Sequence, residues 1–315
     1  MTPPRRVQIL LLAGLVALLA VAAVGDRFWL QLVGKAMITC LFAISLDLLV
    51  GFTGLVSLAH AAFFGLSAYA LAGAANRLGL VSPLATLPLA LGLAAFAALC
   101  IGWLSLRAAG VYFIMVTLAF TQMLFFLFSE APWFGGSDGL YVSRKPALSI
   151  FGATLFDLSS RRAAYLVILA ALALTYLFVS RLLRAPFGRV LAGIRDDEQR
   201  TRALGFPTGR YKLVAFVIAG TLAGLAGYLD AALYGFVNPA SFGWRQSGLL
   251  LMTVLLGGRG TLYGPVLGAL LLTFLEHYGS KATDHWGAIV AAVVIAVVLL
   301  LPRGLAGLIE RGARG

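Results

Sequence analysis

The chain has 315 residues, of which 61% are hydrophobic and only 11% charged, with a mean hydropathy of +0.96. A soluble domain carries about 25% charged residues, so lipid rather than water is the solvent for most of this surface. The net charge of +12 does not imply nucleic acid, because the basic residues stand at the ends of apolar runs with no reading motif among them.

The apolar runs are about 18–22 residues long, enough to cross a hydrocarbon core of about 30 Å. The alternating segments of a transmembrane barrel are absent. The pattern therefore predicts an all-α polytopic membrane protein with eight to ten transmembrane helices, some of them short or broken, in a single domain. Spans are expected at 7–24, 31–50, 55–76, 84–106, 110–130, 163–183, 211–233, 246–257, 262–278 and 285–301.

At the start, Arg5 and Arg6 precede "VQILLLAGLVALLAVAAV", an arrangement shared with signal peptides. Its length and the spans that follow directly favour retention as a first helix. Lys35 in the second span can snorkel outward. Asp47 in the same span is expensive in lipid, which makes it a functional candidate; a polar partner near the span's end is the plainer alternative.

The stretch "GFTGLVSLAHAAFFGLSAYALAG" then interrupts the apolar pattern at Gly51 and Gly54 and carries Thr53, Ser57 and His60. A helix starting near Gly54 would put Ser57 and His60 on one face, where they could line a path for a polar solute. The competing reading is that the glycines serve tight turns and that His60 is a packing residue. Cys40 and Cys100 lie inside apolar runs and read as small buried side chains.

The connection 131–162 is rich in Gly, Pro, Ser and aromatics and reads as a structured extracytoplasmic cap. The connection 184–210 is different. Eleven of the chain's 36 charged residues fall between Arg181 and Lys212. From Arg189 to Leu204 the segment reads as helix, with Gly205 and Pro207 as its stop. Asp196 and Arg200, and Glu198 and Arg202, stand four apart and can pair. A plain helix connection needs about 2–8 residues. This one is far longer, which suits a docking surface for a soluble partner better than a solvated connector.

A second interruption, "LLGGRGTLYGPVLGALL", carries Gly257, Gly258, Gly260 and Gly264. It follows an apolar run rather than a strand, so it is no dinucleotide fingerprint. Irregular backbone at membrane depth is tolerated where it is buried in protein or lines a watery cavity. The residues around Gly51–His60 and Gly257–Gly264 are accordingly the candidates for a pathway lining. Glu130, Asp230 and Glu276 fall at outer span ends.

Ten crossings place both termini and the 184–210 loop on one side. That side holds Arg5, Arg6, Arg107, the eight basic residues from Arg181 to Lys212, Arg259, Arg303, Arg311 and Arg314. The other holds Arg27, Arg77, Arg144, Lys145, Arg161, Arg162, Arg245 and Lys281. The richer side is cytoplasmic. No Walker A sequence or zinc-protease motif occurs, and three histidines leave little material for catalysis.

Five ordered stretches between Asp47 and Leu308 carry a family resemblance: "GFTGLVSLAHAAFFGLSAYA", "GVYFIMVTLAFTQM" with "FGGSDGL", the block from "GRVLAGIRDDEQRTRALGFPTGRYK" to "NPASF", "LLGGRGTLYGPVLGA" and "LLLPRGLAGL". Together they resemble the M-type permease subunits of branched-chain amino-acid ABC importers. The resemblance implies a bacterial inner-membrane protein that forms half of a translocation path with a second, homologous permease. Two cytoplasmic ATPases, which hold ATP and Mg, would drive it, and an extracytoplasmic substrate-binding protein would deliver the solute. The chain itself would bind no cofactor and perform no chemistry.

The resemblance also implies an ATPase-coupling role for Arg195, Asp196, Asp197 and Glu198 through Ala203, Leu204 and Gly205. The Glu-Ala-Ala signature of ABC importers is replaced here by Gln199, Arg200 and Thr201, so its contacts do not carry over. A urea or short-amide ABC permease shares these motifs and stays open as an alternative. An ion-coupled secondary transporter using Asp47 and His60 is the alternative from another class.

Overall fold

A computed structural model describes residues 5–150, 153–157, 160–282, 285–301 and 304–311. Arg303 and Arg314 of the charge count lie outside the described residues. The protein is an all-α polytopic membrane protein, and among the described residues strands are confined to two small ribbons.

The helices, in chain order, are α1 (Arg5–Val24), α2 (Arg27–Val50), α3 (His60–Arg77), α4 (Pro83–Ser105), α5 (Val111–Glu130), α6 (Arg161–Arg184), α7 (Pro186–Asp196) and α8 (Glu198–Ala203). They continue as α9 (Thr208–Tyr234), α10 (Trp244–Gly257), α11 (Gly264–Ala282), α12 (Trp286–Leu300) and α13 (Gly304–Arg311). Among the described residues, α2, α4, α5, α6 and α9 are each long and apolar enough to cross a membrane. The apolar α12 is shorter.

The core forms around α2, which is buried from Leu30 nearly without interruption to Val50. Helix α9 lies against α2, α3 and α4. Its close approach rests on a row of glycines: a Cβ at Gly220 would stand 2.6 Å from Ala98 Cβ, one at Gly224 2.5 Å from Ala94 Cβ, and one at Gly227 would collide with the Phe64 carbonyl. Small residues let helix backbones meet where lipid supplies no hydrophobic drive. Helices α4 and α5 instead turn large apolar side chains outward, among them Leu84, Phe96, Trp103, Tyr112 and Met123. Cys100 shares that outward face and is exposed, against the expectation of a buried thiol; Cys40 on α2 is buried.

The 131–162 connection contributes three short strands to two antiparallel pairs, one of them completed from beyond α9. Strand β1 (Leu140–Tyr141) pairs with β4 (Phe236–Val237), and β2 (Ala147–Ile150) with β3 (Ala153–Asp157). Phe128, at the end of α5, stacks on Phe242 at 4.6 Å and meets Phe134 at 4.4 Å, which ties this cap to the helices.

Two expectations are corrected. The third span does not begin near Gly54, because the chain runs without helix from Gly51 to Ala59 and α3 starts at His60. The charged loop is not one helix from Arg189 to Leu204. Asp197 takes an extended conformation (φ −158°, ψ 104°) that separates α7 from α8.

Candidate functional site

The first break is built by local hydrogen bonds that use up the freed end of α2. Gly51 N–H returns to the Asp47 carbonyl at 2.7 Å, and Thr53 gives both its N–H (3.1 Å) and its hydroxyl (2.6 Å) to the Leu49 carbonyl. Gly54 then reverses the chain in the left-handed region (φ +75°), where a side chain is strained. Ser57 sits in the following irregular stretch, so it does not share a helix face with His60. Its hydroxyl accepts from Ala59 N–H at 3.1 Å. Ser57 and His60 are both wholly buried, His60 beside the rings of Phe42 and Phe63.

The unpaired backbone at Leu58 is met from the side. Thr117 accepts from Leu58 N–H at 3.2 Å, while Thr121 (2.9 Å) and Ser247 (2.7 Å) donate to the Leu58 carbonyl. Ser247 also accepts from Ala61 N–H at 3.1 Å. These three hydroxyls complete a break that would otherwise leave orphaned polar groups at membrane depth. Sequence reasoning missed them. The one available signal was the i, i+4 placement of Thr117 and Thr121 within the apolar α5.

The second break runs between α10 and α11. Gly258 (φ +111°) and Gly260 (φ +77°) turn the chain, and a Cβ at Gly257 would collide with the Gly264 carbonyl. Gly257, Gly258 and Gly264 are buried, whereas Gly260 is half-buried.

The two breaks meet. Asp47 Oδ1 accepts from Gly260 N–H at 2.9 Å, with Asp47 wholly buried. A Cβ on Gly51 would stand 2.7 Å from Gly260 Cα. Onto this contact comes the end of α7: Arg195 Nη1 donates to the Gly51 carbonyl at 2.8 Å. Arg195 Cγ would lie 3.4 Å from a Cβ on Gly54, and Nη1 3.5 Å from one on Gly260. Asp47, Gly51, Gly54, Gly260 and Arg195 therefore form one joint. Thr53 and the buried glycines support it, while Ser57 and His60 lie further along the first break.

Beyond the joint, α7 and α8 form a bent pair. Asp197 caps α8 by accepting from Arg200 N–H at 3.0 Å, and Thr201 hydroxyl donates to the Asp197 carbonyl at 2.9 Å. Glu198 receives Arg202 at 3.2 Å, the Thr208 hydroxyl at 3.1 Å and Lys212. Its partial burial raises the carboxyl's pKa, but the hydrogen bond and charge of Lys212, with Thr208 and Arg202, outweigh it and hold the group below its ordinary value. The expected Asp196–Arg200 pair does not form. The bend at Asp197 breaks the helical spacing, and Asp196 pairs with Arg195 at 3.2 Å instead. Ala203 ends α8, Gly205 (φ +89°) reverses the chain, and Leu204 between them is 73% exposed. Phe206 is exposed beside it. Among the described residues, no cluster of histidine, cysteine and carboxylate side chains is placed to hold a metal ion.

A family model described as "Branched-chain amino acid transport system / permease component" matches residues 28–301. The high-affinity branched-chain amino acid transport system permease protein LivM of Escherichia coli (strain K12) is 32% identical, over 92% of this chain and 74% of that protein. LivM of Salmonella typhimurium is 31% identical, over 95% of this chain and 74% of its own length. The autoinducer 2 import system permease protein LsrC of Yersinia enterocolitica is 28% identical, over 96% of this chain and 84% of that protein. No solved structure matches the chain.

Proposed function

This chain belongs to the family of branched-chain amino acid transport system permease components, and on that premise we propose that it forms half of an ATP-driven path for branched-chain, hydrophobic amino acids. It is a transport subunit rather than a catalytic one. A second, homologous permease supplies the other half of the path. Two cytoplasmic ATPases hold ATP and Mg, and an extracytoplasmic binding protein delivers the solute. The chain is a multi-pass inner-membrane protein, and both termini and the 184–210 segment face the cytoplasm.

The observation that carries this reading is the hydrogen bond from Arg195 to the Gly51 carbonyl. The charged segment, whose Leu204 is exposed, is thereby joined at Arg195 to both glycine breaks. A rigid pull on α7 and α8 has a direct route to Gly51 and, through Asp47, to Gly260. ATP-driven closure would in this way bias inward-open against outward-open arrangements. The glycine breaks are the elements that move and line the path. Membership of the permease family favours an ATP-driven importer over an ion-coupled carrier. The LsrC relatives carry a different cargo by name, in keeping with selectivity that rests mainly in the binding protein.

Two measurements test the proposal. Reconstituted with its partners, the protein should import leucine only with ATP and the binding protein present; import without ATP would overturn it. Leu204→Glu should abolish co-purification of the ATPases while the permease still folds, because a charge is placed on an exposed apolar tip. Retained ATPase binding and transport would remove the docking assignment.

A further inference from the structure

At the end of the bundle opposite the coupling segment, α2, α9 and α11 bring Lys35, Asp230, Tyr234 and Glu276 together. Lys35 Nζ lies 3.3 Å from Glu276 Oε2. Asp230 stands within the field of Lys35, and the Tyr234 hydroxyl within the fields of both carboxylates. With a rise of about 1.5 Å per residue, Lys35 stands about 12 Å inside the outer end of α2, Glu276 about 9 Å inside that of α11 and Asp230 about 6 Å inside that of α9. Lys35 is also about 18 Å along α2 from Asp47 and the inner joint.

Charges at that depth are costly against lipid and belong where they face protein or water. Yet the Lys35 and Glu276 side chains remain 43% and 35% exposed. Unlike α4 and α5, with their outward apolar faces, α2 around Lys35 is the most buried of the five long apolar helices. The charges therefore stand on the outer half of the protein, on three helices of which α2 and α11 border the glycine breaks at their inner ends and α9 follows the charged segment.

The cluster has a definite chemical character. It sets two carboxyl groups against one ammonium. Glu276 pairs with Lys35 at 3.3 Å, and Asp230 supplies the second carboxyl from α9. A half-exposed ion pair is weakly held, so an arriving zwitterion can exchange partners with it at little cost.

We infer that Lys35, Asp230 and Glu276 form a transit site for the charged groups of an α-amino acid on the outer half of the path. Lys35 receives the α-carboxylate, and Asp230 and Glu276 receive the α-ammonium. The site binds the part common to all amino acids and leaves side-chain choice elsewhere. This deepens the transport function proposed above and rests on it.

The test uses the whole reconstituted assembly in proteoliposomes and reads leucine imported per ATP hydrolysed. Lys35→Met and Asp230→Asn should each lower that ratio about ten-fold or more, with ATP hydrolysis stimulated by the binding protein retained. The exchanged double variant Lys35→Glu with Glu276→Lys should fail to restore transport, because it presents reversed charges to the solute. An unchanged ratio in the single variants overturns the inference. Recovery of transport, or of lost assembly, in the exchanged variant also overturns it, since that marks an ion pair needed only for structure. If the wild-type assembly imports no amino acid with ATP, the transport reading itself fails, and this inference falls with it.

Discussion

The two ends of α2 handle charge in opposite ways. At the inner end, Asp47 is wholly buried and fixed by a backbone N–H, with Arg195 spent on the neighbouring carbonyl. At the outer end, Lys35 and Glu276 are half-exposed and hold each other at 3.3 Å. The inner arrangement turns Asp47 Oδ1 and Arg195 Nη1 onto the protein's own irregular backbone, so it acts as a joint. The outer arrangement keeps polar groups available, so it can exchange partners. Burial and the kind of partner, rather than charge itself, separate a mechanical element from a binding one.

The strongest way to break the joint is steric. Gly51→Ala would place a methyl against the Asp47 carboxylate and the Gly260 backbone, neither of which can move without opening the break. Overpacking against backbone should cost about 3 kcal/mol or more, read as a large drop in thermal stability in detergent. Gly73→Ala is the matched control. No described atom lies within 4 Å of its Cβ position, and a helix-interior alanine should be neutral or stabilising by about 0.5–1 kcal/mol. Equal loss at both positions would remove the joint as a special site.

Next in size is the polar contact. Asp47→Ala leaves Gly260 N–H buried without its acceptor, and an orphaned donor of this kind costs about 1–3 kcal/mol. Arg195→Ala should act differently. Its side chain is 41% exposed, so stability should change less than at the wholly buried Asp47 while transport per ATP falls. If Arg195→Ala and Asp47→Ala lose stability alike and transport alike, the joint holds the fold and transmits nothing.

The hydroxyl bracket at Leu58 should matter less. Thr121→Val removes one of two donors to the Leu58 carbonyl and leaves Ser247 in place, for a loss of about 1 kcal/mol. Thr121→Val combined with Ser247→Ala should cost more than the sum of the single changes, since only then is the carbonyl orphaned. Simple additivity in the double variant would count against the bracket.

What was legible in the sequence follows the same division. The long apolar runs fixed by lipid thickness were readable, because crossing a bilayer constrains length and composition strongly. Gly51, Gly54 and Gly260 were readable as breaks, because glycine leaves a local trace. That Asp47 belongs to Gly260, and Arg195 to Gly51, was not readable. These partners lie 213 and 144 residues apart, and a backbone acceptor carries no side-chain signature. Ser57 and His60 were misplaced on one helical face because periodicity cannot reveal that Leu58 finds its partners in Thr117, Thr121 and Ser247. The bend at Asp197 was missed for a related reason: the charge pairs at i, i+4 looked continuous, yet an aspartate that caps the next helix interrupts the one before it.

The smallest effect is expected in the coupling segment, where Glu198 gathers Arg202, Thr208 and Lys212. Its folded pKa lies below the ordinary value of 4.5. Its contribution is therefore fully present above that value and is lost as pH falls through the lowered folded value. The carboxylate side chain is 33% exposed, so solvent screens part of the interaction and the gain is about 1 kcal/mol or less. Glu198→Gln should lower the melting temperature slightly at pH 7 and have no further effect in strong acid, where the wild-type group is already protonated. A variant whose deficit persists undiminished at low pH would show that Glu198 acts through packing at the root of α9, and the coupling segment would then be stapled by shape rather than by charge.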